Sequence, residues 1–341
     1  MMKAAKQATI YDVAAQAQVS ISTVSLALNH PDRLKRATLD RVLAVADDLE
    51  FIPKARAVVH ARGKLSRVAA VAPFTSYPSF SRRLAGVMEE INDSSVQLVV
   101  CDCADIAVST SPVLASIPVR GYIDGLLNLG VPMDGTIGER LLRRVPTVLL
   151  DVRYPGITDI SVDDREGGRL MGAHLAHLGH KRVAFLNEVE TYAFDSPPVL
   201  RLAGLRDVLG ARAVTEISVP RGTESGRQAV ASLLADAATA ESVTAVVGHR
   251  DLVALGALTE LRRRGIDVPH RVSVAGFDDD PVAEALGLTT VRHPFEESGR
   301  LAVRALRNLL DHPDAPTSST RLAVELVARD TTAPTQASTA T

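Results

Sequence analysis

A chain of 341 residues, 46% hydrophobic and 23% charged, is long enough for two or three folding units and has no compositional case for disorder. Its apolar runs are short and broken by charge, far below the roughly 18–20 residues that cross a bilayer, and no apolar stretch follows Met1-Met2-Lys3-Ala4-Ala5-Lys6-Gln7. A membrane protein and a secretory signal are thereby excluded, and a cytoplasmic location is expected. The net charge of −2 hides an asymmetry, because residues 1–67 hold 11 Lys plus Arg against 6 Asp plus Glu, and Lys3, Lys6, Lys35, Lys54 and Lys64 all lie there. An anionic partner such as a phosphate backbone belongs at this end.

Thr9-Ile10-Tyr11-Asp12 has the spacing of a capping box, with Val13, Ala14 and Ala17 following at helical intervals, so a short helix is expected from about residue 10. Ser20 caps a second helix through Asn29, and Pro31 stops it. A third is expected over Thr38–Leu49, with Leu39, Val42, Leu43, Ala46 and Leu49 on one face. Val13, Val24, Leu28 and Val42 can share a small core. This leaves Ser20, Ile21, Ser22 and Thr23 exposed at the start of the second helix, small enough to approach a groove closely.

Thr9-Ile10-Tyr11-Asp12-Val13-Ala14, then Val19-Ser20, Thr23-Val24-Ser25 and Asn29, resembles the headpiece of the lac repressor (LacI/GalR) family. The resemblance implies a helix-turn-helix that reads double-stranded DNA. Ile21 and Ser22 would face base edges, while Thr9, Tyr11, Ser20, Thr23, Ser25 and Asn29 would hold the helix ends and phosphates. Three departures accompany it. Leu26 stands where a long polar reader is common, Leu34-Lys35-Arg36 replaces a serine cap before the third helix, and His60 occupies the place of the leucine that wedges into the minor groove. Weaker kinking, or insertion by Val59, is expected from the smaller polar ring; a solvent-facing His60 is the alternative.

From Arg67 onward short Val/Ala/Leu runs alternate with amphipathic stretches, the pattern of α/β units around parallel sheets. Strands are expected at Val68–Ala72, Gln97–Cys101, Gly125–Asn128, Thr147–Leu150, Arg182–Leu186, Ala245–Gly248 and Val272–Ala275; helices include Phe80–Asn92, Arg165–Leu178 and Leu252–Arg264. Cys101 and Cys103 read as reduced core thiols on one strand face. Arg120 to Gly125, Val162-Asp163, His177 to Ala184, Arg201 to Gly204, Val272 to Asp279 and Leu288 to Val291 extend the resemblance to the family's effector domain. That resemblance implies a periplasmic-binding-protein-like core of two α/β lobes joined by three chain crossings. It places a ligand among Tyr77, Phe80, Asp151, Arg201, Arg250, Asp278, His293 and Phe295. Carboxylates and an arginine suit the vicinal hydroxyls of a sugar. An Arg201–Asp278 ion pair closing the lobes is the competing reading, Asp251 reads as a helix cap, and Arg250 suggests an acidic or phosphorylated effector or a solvent-facing side chain.

The organisation expected is a headpiece with hinge over 1–62, a core over 63–330 with lobe one at about 63–160 and 292–320 and lobe two at about 161–291 and 321–330, and a disordered tail over 331–341. The tail has no leucine heptads, so a homodimer and not a tetramer is expected, on a palindromic operator. His174, His177 and His180 have metal-like spacing, but the last lies past Gly179. No cofactor, no metal and no catalytic constellation is expected. The function read is a dimeric DNA-binding repressor controlled by a sugar-like effector. The alternative is a sugar-binding or enzymatic α/β protein whose headpiece no longer works.

Overall fold

The computed structural model describes residues 8–49, 51, 66–92, 96–103, 114–117, 123–188, 196–220, 222–235 and 242–335. The expected hinge, His60 included, lies outside the described residues. By internal contacts the chain forms two units, Met1–Ser161 with Phe295–Thr320 and Val162–Pro294 with Arg321–Thr341, so it passes between units three times. No helix among the described residues is long and apolar enough to cross a membrane.

The headpiece belongs to the first unit and is built on local bonds. Helix α1 (Ile10–Gln16) starts at the capping box: Thr9 Oγ1 accepts from the Asp12 amide at 3.4 Å, and the Thr9 amide donates to Asp12 Oδ2 at 2.7 Å. Gln18, at φ 53°, turns the chain into Ser20, whose hydroxyl accepts from the Thr23 amide at 3.1 Å and starts α2 (Ile21–Asn29). Helix α3 (Arg36–Asp48) begins before the expected Thr38, with Lys35 at the cap position offering no side-chain bond. Val13, Val24, Leu28 and Val42 are buried together.

This small core does not end at the headpiece. Val42, Leu43, Ala46 and Phe51 belong to one apolar cluster with Ile137, Leu141 and Val145, on and just after α5 (Gly135–Arg144). Arg144 Nε lies 2.9 Å from Asp47 Oδ1, and its Nη2 donates to the carbonyls of Ala46 at 3.2 Å and Asp47 at 3.3 Å. Arg140, nearly buried, pairs with Asp47 Oδ2. Cations thus satisfy the open C-terminal carbonyls of α3, where the helix dipole favours them.

The first sheet runs β11-β5-β4-β3-β1-β2, where β1 is Ser66–Ala72, β2 Val96–Asp102, β3 Gly125–Leu129, β4 Thr147–Leu150, β5 Thr158–Val162 and β11 Ser319–Leu322. The second unit carries an all-parallel sheet, β7-β6-β8-β9, of Val214–Val219, Val183–Glu188, Ala245–Gly248 and Ser273–Ala275. It also holds an antiparallel pair, β10 (Thr290–Arg292) with β12 (Glu325–Val327). Central strands such as β3, β4 and β8 are buried along their whole length, as parallel strands covered on both faces must be. Strands β5, β7, β10, β11 and β12 escape the sequence reading because they are polar or short. In β5 the buried Asp159 is matched by the Ser319 hydroxyl at 3.0 Å, so burial there does not require an apolar residue.

The beginning of the expected disordered tail is ordered instead. Thr331 is buried and accepts from the Val274 amide at 2.8 Å, Ala333 N donates to Ser273 Oγ at 3.1 Å, and Thr335 N donates to the Leu178 carbonyl at 2.9 Å. Backbone bonds hold it, and composition does not report them.

Helices covering the sheets meet through paired glycines. In the second unit, α6 (Asp164–His177) and α7 (Pro197–Leu209) run in the same direction and touch at Gly168 and Gly204. A Cβ on Gly168 would lie 2.1 Å from the Arg201 carbonyl oxygen, and one on Gly204 would lie 1.9 Å from that of Arg165. The same reciprocal contact joins Gly226 of α8 (Thr223–Ala235) to Gly256 of α9 (Asp251–Arg263). In the first unit it joins Gly86 of α4 (Pro78–Ile91) to Gly299 of α11 (Phe295–Asp311), the short α10 (Pro281–Ala285) lying in the second unit.

Two outcomes follow from this packing. Gly204→Ala would gain roughly 1 kcal/mol by helix propensity alone, whereas the backbone clash should cost more than that and lower the melting temperature by several degrees; a raised melting temperature would contradict the contact. Asp47→Ala strips Arg140 of its carboxylate. In a fully buried pair this costs roughly 3–5 kcal/mol, less here because Asp47 is partly exposed, and hydrogen exchange in α3 should accelerate while that in β3 does not.

Candidate DNA-recognition and effector sites

The headpiece presents one polar face. Ser20, Ile21, Ser22 and Asn29 are exposed on or before α2, with Ile21 43% and Tyr11 67% accessible, values that mark large side chains held out of the core. Thr23, Ser25 and Leu26 are half-buried, so Leu26 offers only part of its side chain to a partner. Ser20 Oγ and Thr23 Oγ1 lie 2.9 Å apart, and Asn29 Nδ2 donates to Ser25 Oγ at 3.3 Å, which orders the hydroxyls along the helix. Arg33, Lys35, Arg36 and Arg41 are exposed basic residues of the same segment. The arrangement suits phosphate binding around an inserted helix N-terminus.

The eight effector candidates separate into two groups. Tyr77, Phe80, Asp151 and Phe295 lie in the first unit around a residue absent from the sequence reading, Arg83. Its guanidinium lies 5.5 Å from the Phe80 ring centre and 4.5 Å from that of Phe295, and it pairs with Asp151. Tyr77 meets Phe80 edge-on at 6.1 Å. Two of the aromatic candidates, Phe80 and Phe295, therefore cover a buried cation. Asp151 sits at φ 54°, an unusual backbone for a non-glycine residue and one that clusters at working sites.

Arg201, Asp278 and His293 meet in the second unit, with Arg250 at the head of α9. Arg201 is 4% exposed, so each of its donors needs a partner. Nε donates to Asp164 Oδ1 at 2.7 Å and Nη1 to the His249 carbonyl at 2.6 Å; Nη2 lies 3.0 Å from Asp278 Oδ1 and 3.2 Å from His293 Nε2. The Phe277 ring centre lies 5.1 Å from the guanidinium. The Arg201–Asp278 ion pair is real but lies within one unit, so it is not the lobe-closing pair considered from sequence. Burial would raise the Asp164 carboxyl, but Arg201 and His293 outweigh it and hold the group far below its usual range.

Asp251 is the clearest correction. It occupies the first turn of α9 behind Arg250, and its carboxylate serves another turn of chain instead of capping its own helix. Oδ2 accepts from the Asp280 amide at 2.8 Å and Oδ1 from the Thr290 hydroxyl at 2.6 Å. This fixes the segment in which Asp278, at φ 110°, projects its carboxylate. Burial, and then Asp278, push the Asp251 carboxyl well above its usual range.

Sequence reasoning also missed Asp164, Glu188 and His249, because their partners are distant along the chain. Glu188 and His249 are buried with Glu188 Oε2 3.4 Å from His249 Nε2. Burial lowers the His249 ring to about 4 despite the carboxylate, while burial acting on Glu188 is overcome by His249 and Arg250, which bring it to about 2. His174 and His180, two of the three histidines with metal-like spacing, each lie about a hydrogen bond from a threonine hydroxyl, 2.9 Å to Thr332 and 3.0 Å to Thr244.

A helix-turn-helix joined to two parallel α/β units is the make-up of a DNA-binding regulator with a binding-protein core. The model for bacterial regulatory proteins of the lacI family matches residues 9–54, and that for the periplasmic binding protein-like domain matches residues 173–332. The chain is 32% identical over 340 residues to the HTH-type transcriptional regulator MalR of Streptomyces coelicolor, covering 94% of this chain and 96% of that one. It is similar to the solved CelR–cellobiose complex at 25% identity, with a TM-score of 0.66 over 95% of this chain and 99% of that one. It is also similar to the lac repressor dimer bound to operator and the anti-inducer ONPF, at 26% identity and a TM-score of 0.66 over 96% and 100%. The chain belongs to the lacI family of bacterial regulatory proteins.

The buried histidine gives the second unit a pH signature. Between about pH 6.5 and about 4 an unfolded His249 binds a proton that the native ring refuses, so stability rises with pH across that window by roughly one proton's slope. Thermal melts of His249→Gln should show a flatter profile there than the parent; superimposable profiles would mean the ring is not buried neutral.

Proposed function

We propose that this regulator is a homodimeric repressor that binds a palindromic operator through its headpiece and is controlled by a small sugar-like effector held by its core. The observation that carries the DNA reading is the exposed row from Ser20 to Ser22 on a capped helix, in a segment that also carries the exposed basic residues Arg33, Lys35, Arg36 and Arg41. In this reading Ile21 and Ser22 meet base edges, and Tyr11, Ser20, Thr23, Ser25 and Asn29 position the headpiece on phosphates. Leu26 contributes an apolar edge, and His60, outside the described residues, acts at the minor groove. A twofold assembly gives each half-site one headpiece. Such a protein works in the cytoplasm, beside the chromosome.

The effector reading rests on Arg201, Asp278 and His293 in one unit and Tyr77, Phe80, Asp151 and Phe295 in the other, with Arg250 beside the first group. It is supported by the cellobiose held by CelR and the ONPF held by the lac repressor dimer, two proteins of similar fold. Parallel sheets take ligands at the carboxyl ends of their strands, and Asp151, His249-Arg250 and Asp278 follow such ends.

Selection of binding sites from a randomised palindromic duplex library at low salt tests the DNA reading. The parent should recover a twofold-symmetric sequence with an affinity that falls steeply as salt rises, and Ile21→Ala should lose roughly 1–3 kcal/mol of discrimination at one position of each half-site. Failure to enrich any sequence, with and without sugars, would leave the headpiece without a role and favour the binding-protein alternative.

A further inference from the structure

The carboxyl ends of β6 and β8, neighbours in register from Val183 and Ala245 to Leu186 and Gly248, carry two buried polar residues with incomplete bonding. Glu188 is 5% exposed and His249 not at all. Glu188 Oε1 accepts from the Gly222 amide at 3.0 Å. Among the described residues, Glu188 Oε2 and His249 Nδ1 have no hydrogen-bond partner, beyond the 3.4 Å approach of Oε2 to His249 Nε2. A buried polar atom left unmatched costs roughly 1–3 kcal/mol, and such atoms are retained where something else supplies the partner.

The surrounding charges state what that partner can be. Arg201, whose Nη1 donates to the His249 carbonyl, is committed to Asp164 and Asp278, so it has no bidentate fork to turn toward a phosphate. Arg250 lies within electrostatic reach of both Glu188 and His249. Asp164, Asp278 and Glu188 outnumber the guanidiniums of Arg201 and Arg250, even without counting Asp251. A phosphate dianion brought here would face a buried carboxylate at low dielectric, where like charges repel strongly. A neutral hydroxyl would instead donate to Oε2 and satisfy it.

We propose that Glu188 and His249 are the specificity pair of the effector site, selecting an uncharged, hydroxyl-donating ligand and rejecting its phosphate ester. This rests on the effector reading above, and it runs against the reading in which Arg250 signals a phosphorylated effector. Glu188 accepts from a ligand hydroxyl, and His249 holds the carboxylate in place from the adjacent strand.

Matched pairs test it: ribose with ribose 5-phosphate, glucose with glucose 6-phosphate, and uridine with uridine 5′-monophosphate, each titrated into the purified full-length chain by thermal shift and calorimetry. The expected result is that an uncharged member binds at least ~10-fold more tightly than its phosphate ester, and that Glu188→Gln narrows this ratio by about 10-fold, the worth of one hydrogen bond to a charged group. His249→Gln, which keeps a polar neighbour, should narrow it less. Should Glu188→Gln fail to fold, the parent's ratios and those of His249→Gln still decide. A phosphate ester bound more tightly than its parent sugar, or a ratio unmoved by Glu188→Gln, overturns the proposal and leaves the effector reading standing. Binding of no member of any pair, by a chain that still binds its operator, overturns both.

Discussion

The second unit is organised around one constraint: a guanidinium buried to 4% exposure must have anions and acceptors at fixed positions. Asp164, Asp278 and the His249 carbonyl supply them to Arg201 from three different elements. Asp164 and Arg201 can meet at 2.7 Å because α6 and α7 touch through Gly168 and Gly204, each one turn beyond the paired residue. Asp278 reaches its place because the chain accepts a φ of 110°, with Asp251 securing the turn through Asp280 and Thr290. Removing one member exposes the costs that the others offset, so the group behaves as a unit and not as a sum of pairs.

The first unit repeats the solution with different residues. Arg83 is buried on α4, pairs with Asp151 at a positive-φ position after β4, and lies against Phe295, while α4 touches α11 through Gly86 and Gly299. Arginine, aspartate on a left-handed turn, aromatic face and glycine contact thus recur in both units. In each, a cation is fixed near the carboxyl ends of parallel strands.

Why some of this was readable and some not follows from sequence distance. The headpiece could be drawn residue by residue because its caps act over three positions, as Thr9 with Asp12 and Ser20 with Thr23 show. The central strands announced themselves as continuous apolar runs. By contrast, nothing in the sequence marks Gly168 and Gly204 as contact points, since propensity knows nothing of a partner backbone at contact distance. No local pattern ties Asp164 to Arg201 or Glu188 to His249. Asp251 was misassigned for the same reason: the nearest helix suggested a cap, but the carboxylate serves Asp280 and Thr290 across the fold.

The same physics bears on how binding could reach the headpiece. Two of the places where the chain passes between units adjoin candidate residues, since Val162 precedes Asp164 and His293 and Phe295 flank the second passage, while Arg321 at the third lies 3.6 Å from Asp163. Any movement of Asp164 or His293 would act on the adjoining connecting segments directly. The headpiece has its own seat on α5, where Arg140 and Arg144 enclose Asp47 and the last carbonyls of α3. That seat is largely shielded from solvent, so added salt screens it weakly, whereas contacts between exposed basic side chains and phosphates weaken steeply. An effector needs to change the headpiece's affinity for DNA only by the 1–3 kcal/mol typical of coupling between two sites.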